Sequence, residues 1–136
     1  MNSPLDILLV DDSESDVKLF ILAHRANKST ATIMVARDGQ EALDSLIQSE
    51  TLPQLVLLDI NMPRVNGFDV LEQLRADERT RLLPVIIFSS SHQKGDVERA
   101  HRLGANACLT KPMGFYNLCQ FLANLERDWI RTNFTK

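Results

Sequence analysis

Hydrophobic residues in this chain gather into five short blocks, separated by longer stretches in which they recur every three or four positions. The blocks cover residues 7–10, 32–35, 55–58, 85–88 and 105–109, each the length of a β-strand. The first, third and fourth are apolar without alternation, the pattern of strands covered on both faces in a parallel sheet. Helices must supply that cover, and helix-length stretches follow each block at 14–26, 40–49, 67–77, 95–103 and 114–131. The order is therefore (βα) five times. Ser13, with Asp16 three positions on and Val17 and Leu19 beyond, predicts a capping box opening the first helix. Pro53 and Pro84 stand just before the third and fourth strands, while Asn66-Gly67 and Gly104 mark turns or helix ends. In the last helix Phe115, Leu118, Leu122, Leu125 and Trp129 form one apolar stripe, which predicts docking on the sheet.

Alternating strands and helices imply right-handed crossovers with helices on both faces, so the expected fold is α/β with a doubly wound five-stranded parallel sheet. Such sheets collect functional groups beyond the carboxyl ends of their strands, where the strand order switches. The expected rim residues are Asp11 and Asp12 after the first strand, Asp59 after the third, Ser89 after the fourth, and Lys111 two residues after the fifth.

Composition narrows the field. A length of 136 residues leaves room for one compact domain, 1–136 with a core of about 5–131, at the usual ~100 to 200 residues per domain. No linker, repeat or low-complexity tract interrupts it, and no effector domain is expected after the last helix. Fifteen basic against eighteen acidic side chains give a net charge of −3, without the basic excess that drives binding to nucleic acid. The longest apolar run is the five residues 19–23, far short of the ~20 that cross a bilayer, and residues 1–6 carry no basic-then-apolar leader pattern. The expected location is the cytoplasm. Cys108 and Cys119 lack metal-ligand spacing and are expected to be reduced and packed as small hydrophobes.

Three carboxylates on adjacent strand ends repel one another, and a hard cation resolves the repulsion. Mg²⁺ takes octahedral oxygen ligands, keeps several waters and binds through one or two carboxylates plus phosphate oxygens, so Asp12 and Asp59 would ligate directly and Asp11 through a water. Ca²⁺ fits less well, since no DxDxDG loop with a distal Glu is present. Lys111 supplies a point charge and Ser89 a hydroxyl, a pairing suited to phosphoryl oxygens.

The motifs ILLVDD at 7–12, LLDINMPRVNG at 57–67, VIIFSSS at 85–91 and LTKP at 109–112 resemble the receiver domain of bacterial response regulators over essentially the whole chain. That resemblance implies the flavodoxin-like strand order 2-1-3-4-5 and a two-component phosphorelay function. Asp59 would be the phosphoacceptor, Asp11 and Asp12 the acidic pair holding Mg²⁺, and the Asn61 backbone carbonyl a further metal ligand. Ser89 would be the switch hydroxyl, Lys111 would contact the phosphoryl group, and Lys111-Pro112 would be cis. Asn61 and Ser91, two positions after the acceptor and the switch hydroxyl, would bear on the lifetime of the phosphorylated state. DVKL at 16–19, LRADERTRLLP at 74–84 and SSSH followed by a helix at 93–104 resemble the single-domain receivers that serve phytochrome-type histidine kinases. The implied partners are such a sensor kinase or a phosphotransfer protein, a downstream protein target, and a second copy bound through the fourth helix, fifth strand and fifth helix. Tyr116, Phe121, Ile130 and Phe134 offer apolar surface for that homodimer. Two departures from the family stand out: Asn66 replaces the common acidic residue before Gly67, where Asn-Gly still makes a good turn, and Cys108 replaces the aromatic switch residue.

Taken singly, these residues have plainer readings. Asp11 or Asp12 would cap the first helix, Ser89 would end a strand, Lys111 would be a solvated charge and Asp38 a turn residue. His24, His92 and His101 are expected at the surface outside the site, and Met62 and Met113 only in packing. A haloacid-dehalogenase-type phosphatase, the enzyme rival, needs a second acid where Asn61 stands. Flavodoxin-like FMN binding needs a Ser/Thr/Gly phosphate loop where the acidic DDSESD stands. A receiver-like interaction module that is never phosphorylated is the remaining alternative. The expected protein is a phosphoacceptor rather than an enzyme.

Overall fold

The computed structural model describes residues 5–90 and 93–134, with side chains of 129–134 outside the described ones. Its elements run β1 (Asp6–Val10), α1 (Glu14–Ala26), β2 (Thr32–Ala36), α2 (Gly39–Gln48), β3 (Leu55–Leu58), α3 (Gly67–Ala76), β4 (Val85–Ser89), α4 (Lys94–Arg102), β5 (Ala107–Thr110) and α5 (Phe115–Phe134). All four strand pairings are parallel, and the sheet order is β2-β1-β3-β4-β5. The expected fold class and strand order are both present.

Burial follows the sequence pattern. β3 and β4 are buried throughout and β1 nearly so, whereas the edge strands β2 and β5 are only partly covered. Because strand side chains alternate, the sheet separates two cores. Leu8, Val56, Leu58 and Ile87 pack under α2, α3 and α4, while Ile7, Leu9, Leu57 and Phe88 pack under α1 and α5. Cys108 joins the first core and Cys119 the second. Neither cysteine is in a disulfide, and the sheet between them holds them apart.

The stripe on α5 is shifted from its expected register. Leu118 and Leu122 are buried and Leu125 packs beside them, but Phe115 is exposed and Phe121 takes its place. Phe121 stacks on Phe88 with ring centroids 5.1 Å apart, and Phe88 meets Phe20 edge-on at 6.3 Å; such pairs are worth ~0.5–1.5 kcal/mol beyond area burial. Phe115 is the first residue of its helix, at the rim, where the apolar layer has ended. Phe121 is thus partly buried against this core, and Ile130, Phe134 and Trp129 have side chains outside the described residues. Met113 is exposed instead of packed, while Met62 is core as expected.

His24 also departs from expectation. It lies one turn after the buried Phe20 on the α1 face that meets α5, with its side chain only 13% exposed and Nδ1 3.9 Å from Glu126 Oε2. His101 is exposed as expected; Ser91 and His92 lie outside the described residues.

Candidate functional site at the carboxyl rim

Backbone pairing continues past the strand ends and fixes the rim. The Asp11 N–H donates to the Ala36 carbonyl, the Asp59 N–H to the Val10 carbonyl, both at 3.0 Å, and the Lys111 N–H to the Ser89 carbonyl at 2.8 Å. Behind Asp59 the chain must turn back sharply into α3. Asn66 caps that helix, accepting the Asp69 N–H while its own N–H donates to Asp69 Oδ2, so the residue expected in a turn works as an N-cap. Gly67 is required by close approach, since a Cβ there would stand 2.3 Å from the Asp59 carbonyl oxygen. Asp38, also expected in a turn, caps α2 by accepting the Glu41 N–H at 2.7 Å.

The expected site residues converge. Asp11, Asp12 and Asp59 place carboxylate oxygens within 4.8 Å of one another; Asp11 and Asp59 are buried and Asp12 is exposed. Ser89 is fully buried, and its hydroxyl and the backbone N–H of Asn61 both favour the ionised Asp59 carboxylate. Ser89 is the last residue of β4 and Lys111 follows β5 directly, each one position closer to its strand than expected. The Lys111 ammonium lies 2.7 Å from Asp11 Oδ2, 3.0 Å from Asp16 Oδ2 and 3.5 Å from Asp59 Oδ2. Asp16 is the site residue that sequence reasoning missed, because three positions after Ser13 it reads as half of a capping box.

These positions set the charge states. Burial pushes the Asp59 carboxyl above its ordinary 3.8, and Asp11 adds to the shift, while Lys111, Ser89 and Asn61 offset part of it. Burial works against the Lys111 ammonium, yet hydrogen bonds to Asp11 and Asp16 and the field of Asp59 outweigh it, so its pKa rises above 10.5. Three carboxylates thus surround one ammonium, and Asp12 adds a fourth to the rim. Carboxylate oxygens from two buried groups and one solvent-open group suit a hard divalent cation that keeps part of its water.

Two further expectations meet the structure here. Among the described residues no peptide bond is cis, so Lys111-Pro112 is trans, the isomer that an X-Pro bond favours by ~0.5–1 kcal/mol. Cys108, at the aromatic switch position, is half-buried, and burial, helped by the Asp96 carboxylate, pushes its thiol pKa up.

The response regulator receiver domain family matches residues 7–123. This chain belongs to that family. The receiver is 35% identical over 134 residues to the probable methanogenesis regulatory protein FilR2 of Methanothrix harundinacea, covering 96% of this chain and 86% of the relative. It is 30% identical over 136 residues to the response regulator Rcp1 of Synechocystis, covering 96% and 92%. Among solved structures, the phosphorylated cyanobacterial phytochrome response regulator RcpA superposes with a TM-score of 0.86 at 29% identity over 96% of each chain. The Mn²⁺-bound form of Rcp1 superposes with a TM-score of 0.82 at 30% identity over 95% and 96%. Receiver domains act in two-component signalling as partners of histidine kinases, and the expected likeness to phytochrome response regulators is present. Among the described residues no helix is long and apolar enough to cross a membrane.

Proposed function

We propose that Asp59 accepts a phosphoryl group from the phosphohistidine of a sensor histidine kinase, directly or through a phosphotransfer protein, and that the charge gained at the rim switches a protein-contact surface. The carrying observation is one carboxylate that meets the Lys111 ammonium at 3.5 Å, a buried hydroxyl and two further carboxylates. An Asp59 oxygen forms the new bond to phosphorus as the phosphorus–nitrogen bond to histidine breaks in line, and the imidazole leaves neutral after taking a proton. Asp12 and Asp59 would hold Mg²⁺ directly, with Asp11 through a water and the Asn61 carbonyl as a further ligand, and the ion would offset charge on the transferring oxygens. Lys111 and Ser89 then engage the phosphoryl oxygens. Hydrolysis of the acyl phosphate resets the switch, so the protein is a phosphoacceptor that turns over its own modification rather than an enzyme acting on a separate substrate.

The likeness to RcpA and Rcp1 supports a phytochrome-type kinase as the donor. With such a kinase autophosphorylated from labelled ATP, label passes to this chain in millimolar Mg²⁺. It stays on the kinase in EDTA, and transfer to Asp12→Ala falls at least about tenfold, as loss of a direct metal ligand implies. Undiminished transfer in EDTA contradicts the metal, and label retained on the kinase while acetyl phosphate labels the chain contradicts the pairing.

The surface of α4, β5 and α5 is the proposed output, contacting a downstream protein or a second copy in a C2 dimer. Tyr116 is 72% exposed there, and with Cys108 in place of an aromatic switch, dimers are expected with and without beryllofluoride. Sedimentation velocity showing monomer at high micromolar concentration in both conditions contradicts the dimer.

A further inference from the structure

Asp16 stands where a capping box would spend it, at the third position of α1. Its N–H donates to Ser13 Oγ at 3.3 Å, but the return bond is missing. The Ser13 N–H donates instead to Asp11 Oδ1 at 2.9 Å. In α3 the same motif closes both ways between Asn66 and Asp69. Since Asp11 satisfies the Ser13 N–H, the Asp16 carboxylate is released to turn outward, and it meets Lys111 at 3.0 Å.

An ammonium has three N–H donors, and Lys111 has three carboxylates around it. The closest are Asp11 and Asp16, on the β1 and α1 side; the longest contact is to Asp59. Asp11, Asp16 and Lys111 share the wall of a cavity of about 50 Å³ with Phe20, Phe88 and Leu118. Lys111 therefore sits closer to Asp11 and Asp16 than to the acceptor. Asp16 lies outside the carboxylate group that suits a metal, so it competes for the lysine without ligating the ion.

We propose that Asp16 is a positioning residue that shares the Lys111 ammonium and limits how strongly Lys111 engages a phosphoryl group on Asp59. The proposal rests on the phosphoacceptor reading above. A phosphoryl group brings three acceptor oxygens and added negative charge, and Lys111 must loosen its bond to Asp16 to meet them. Removing the Asp16 charge frees the lysine. The effect is modest, because the Asp16 side chain is 45% exposed and such ion pairs are screened.

The test is beryllofluoride affinity by calorimetry at saturating Mg²⁺ for wild type, Asp16→Asn, Lys111→Ala and the double variant. Asp16→Asn is expected to bind about two- to fivefold more tightly, the scale of a screened ion pair. Asp16→Ala should gain similarly, and Glu14→Gln, which removes a neighbouring exposed charge, should match wild type. In the Lys111→Ala background Asp16→Asn should change nothing. Affinity at or below the wild-type value in both Asp16 variants overturns the proposal. So does the same gain with Lys111 absent, or in Glu14→Gln, because the carboxylate would then act as bulk charge. Wild type that binds beryllofluoride while the Asp16 variants do not differ from it overturns this inference alone; wild type that binds none overturns the phosphoacceptor reading and this inference together.

Discussion

Asp59→Asn is expected to reduce phosphoryl uptake from acetyl phosphate and Mg²⁺ to background, a loss of at least about a hundredfold, because an amide lacks the nucleophilic oxygen of a carboxylate. Substitution at the other rim positions leaves that oxygen in place. The variant should nevertheless be well folded. Burial and Asp11 hold the Asp59 carboxyl above its ordinary 3.8, so the folded state disfavours its ionised form. The sign follows from linkage: a raised carboxyl pKa gives stability that is full below 3.8 and is lost as pH rises through the folded value. Once the pH exceeds the folded pKa the wild type has lost it, and Asp59→Asn, which has no charge to bury, should then melt higher than wild type in EDTA. Thermal melts at neutral and acidic pH check this, with the difference shrinking toward pH 4. A variant that melts lower at neutral pH contradicts the electrostatic account, and wild-type phosphoryl uptake contradicts the acceptor assignment.

Lys111→Ala should have the second-largest effect, on stability and on signalling together. It leaves Asp11, Asp16 and Asp59 without their shared cation, and removing one partner of a buried pair costs ~3–5 kcal/mol. Asp11 is 2% exposed and Lys111 only 12%, so a loss of about 3 kcal/mol is expected for urea unfolding in EDTA. Millimolar Mg²⁺ should restore much of it, because a cation again meets the carboxylates. In the wild type this stabilisation is fully present below pH 10.5 and declines only as pH rises through the elevated lysine pKa. Beryllofluoride-induced NMR shifts in α4 and α5 should also be largely lost, since the lysine ties the rim to the β5–α5 connection. Wild-type stability in EDTA, or wild-type shifts at both helices, would contradict this role.

Much of this arrangement was legible from pattern. Continuous apolar blocks showed which strands lie inside the sheet, and the polar residues after four of the five blocks gave Asp11, Asp12, Asp59, Ser89 and Lys111. What the pattern hid was decided by tertiary neighbours. Asp16 looked like a local cap because sequence spacing cannot show that Asp11 takes the N–H Asp16 would have accepted. Gly67 read as turn punctuation, yet its necessity comes from the Asp59 carbonyl eight positions earlier. Phe115 and Phe121 both suit an apolar stripe, and only the position of Phe88 under the middle of α5 selects the second. His24 is polar by type, but the α1–α5 contact covers it.

The account turns on which carboxylate carries the phosphoryl group. Incubation with acetyl phosphate and Mg²⁺ followed by borohydride reduction converts an aspartyl phosphate to homoserine, which peptide mass spectrometry locates. The structure predicts homoserine at Asp59 and at no other aspartate; homoserine at Asp11, Asp12 or Asp16 in the wild type, or unchanged incorporation in Asp59→Asn, would contradict it.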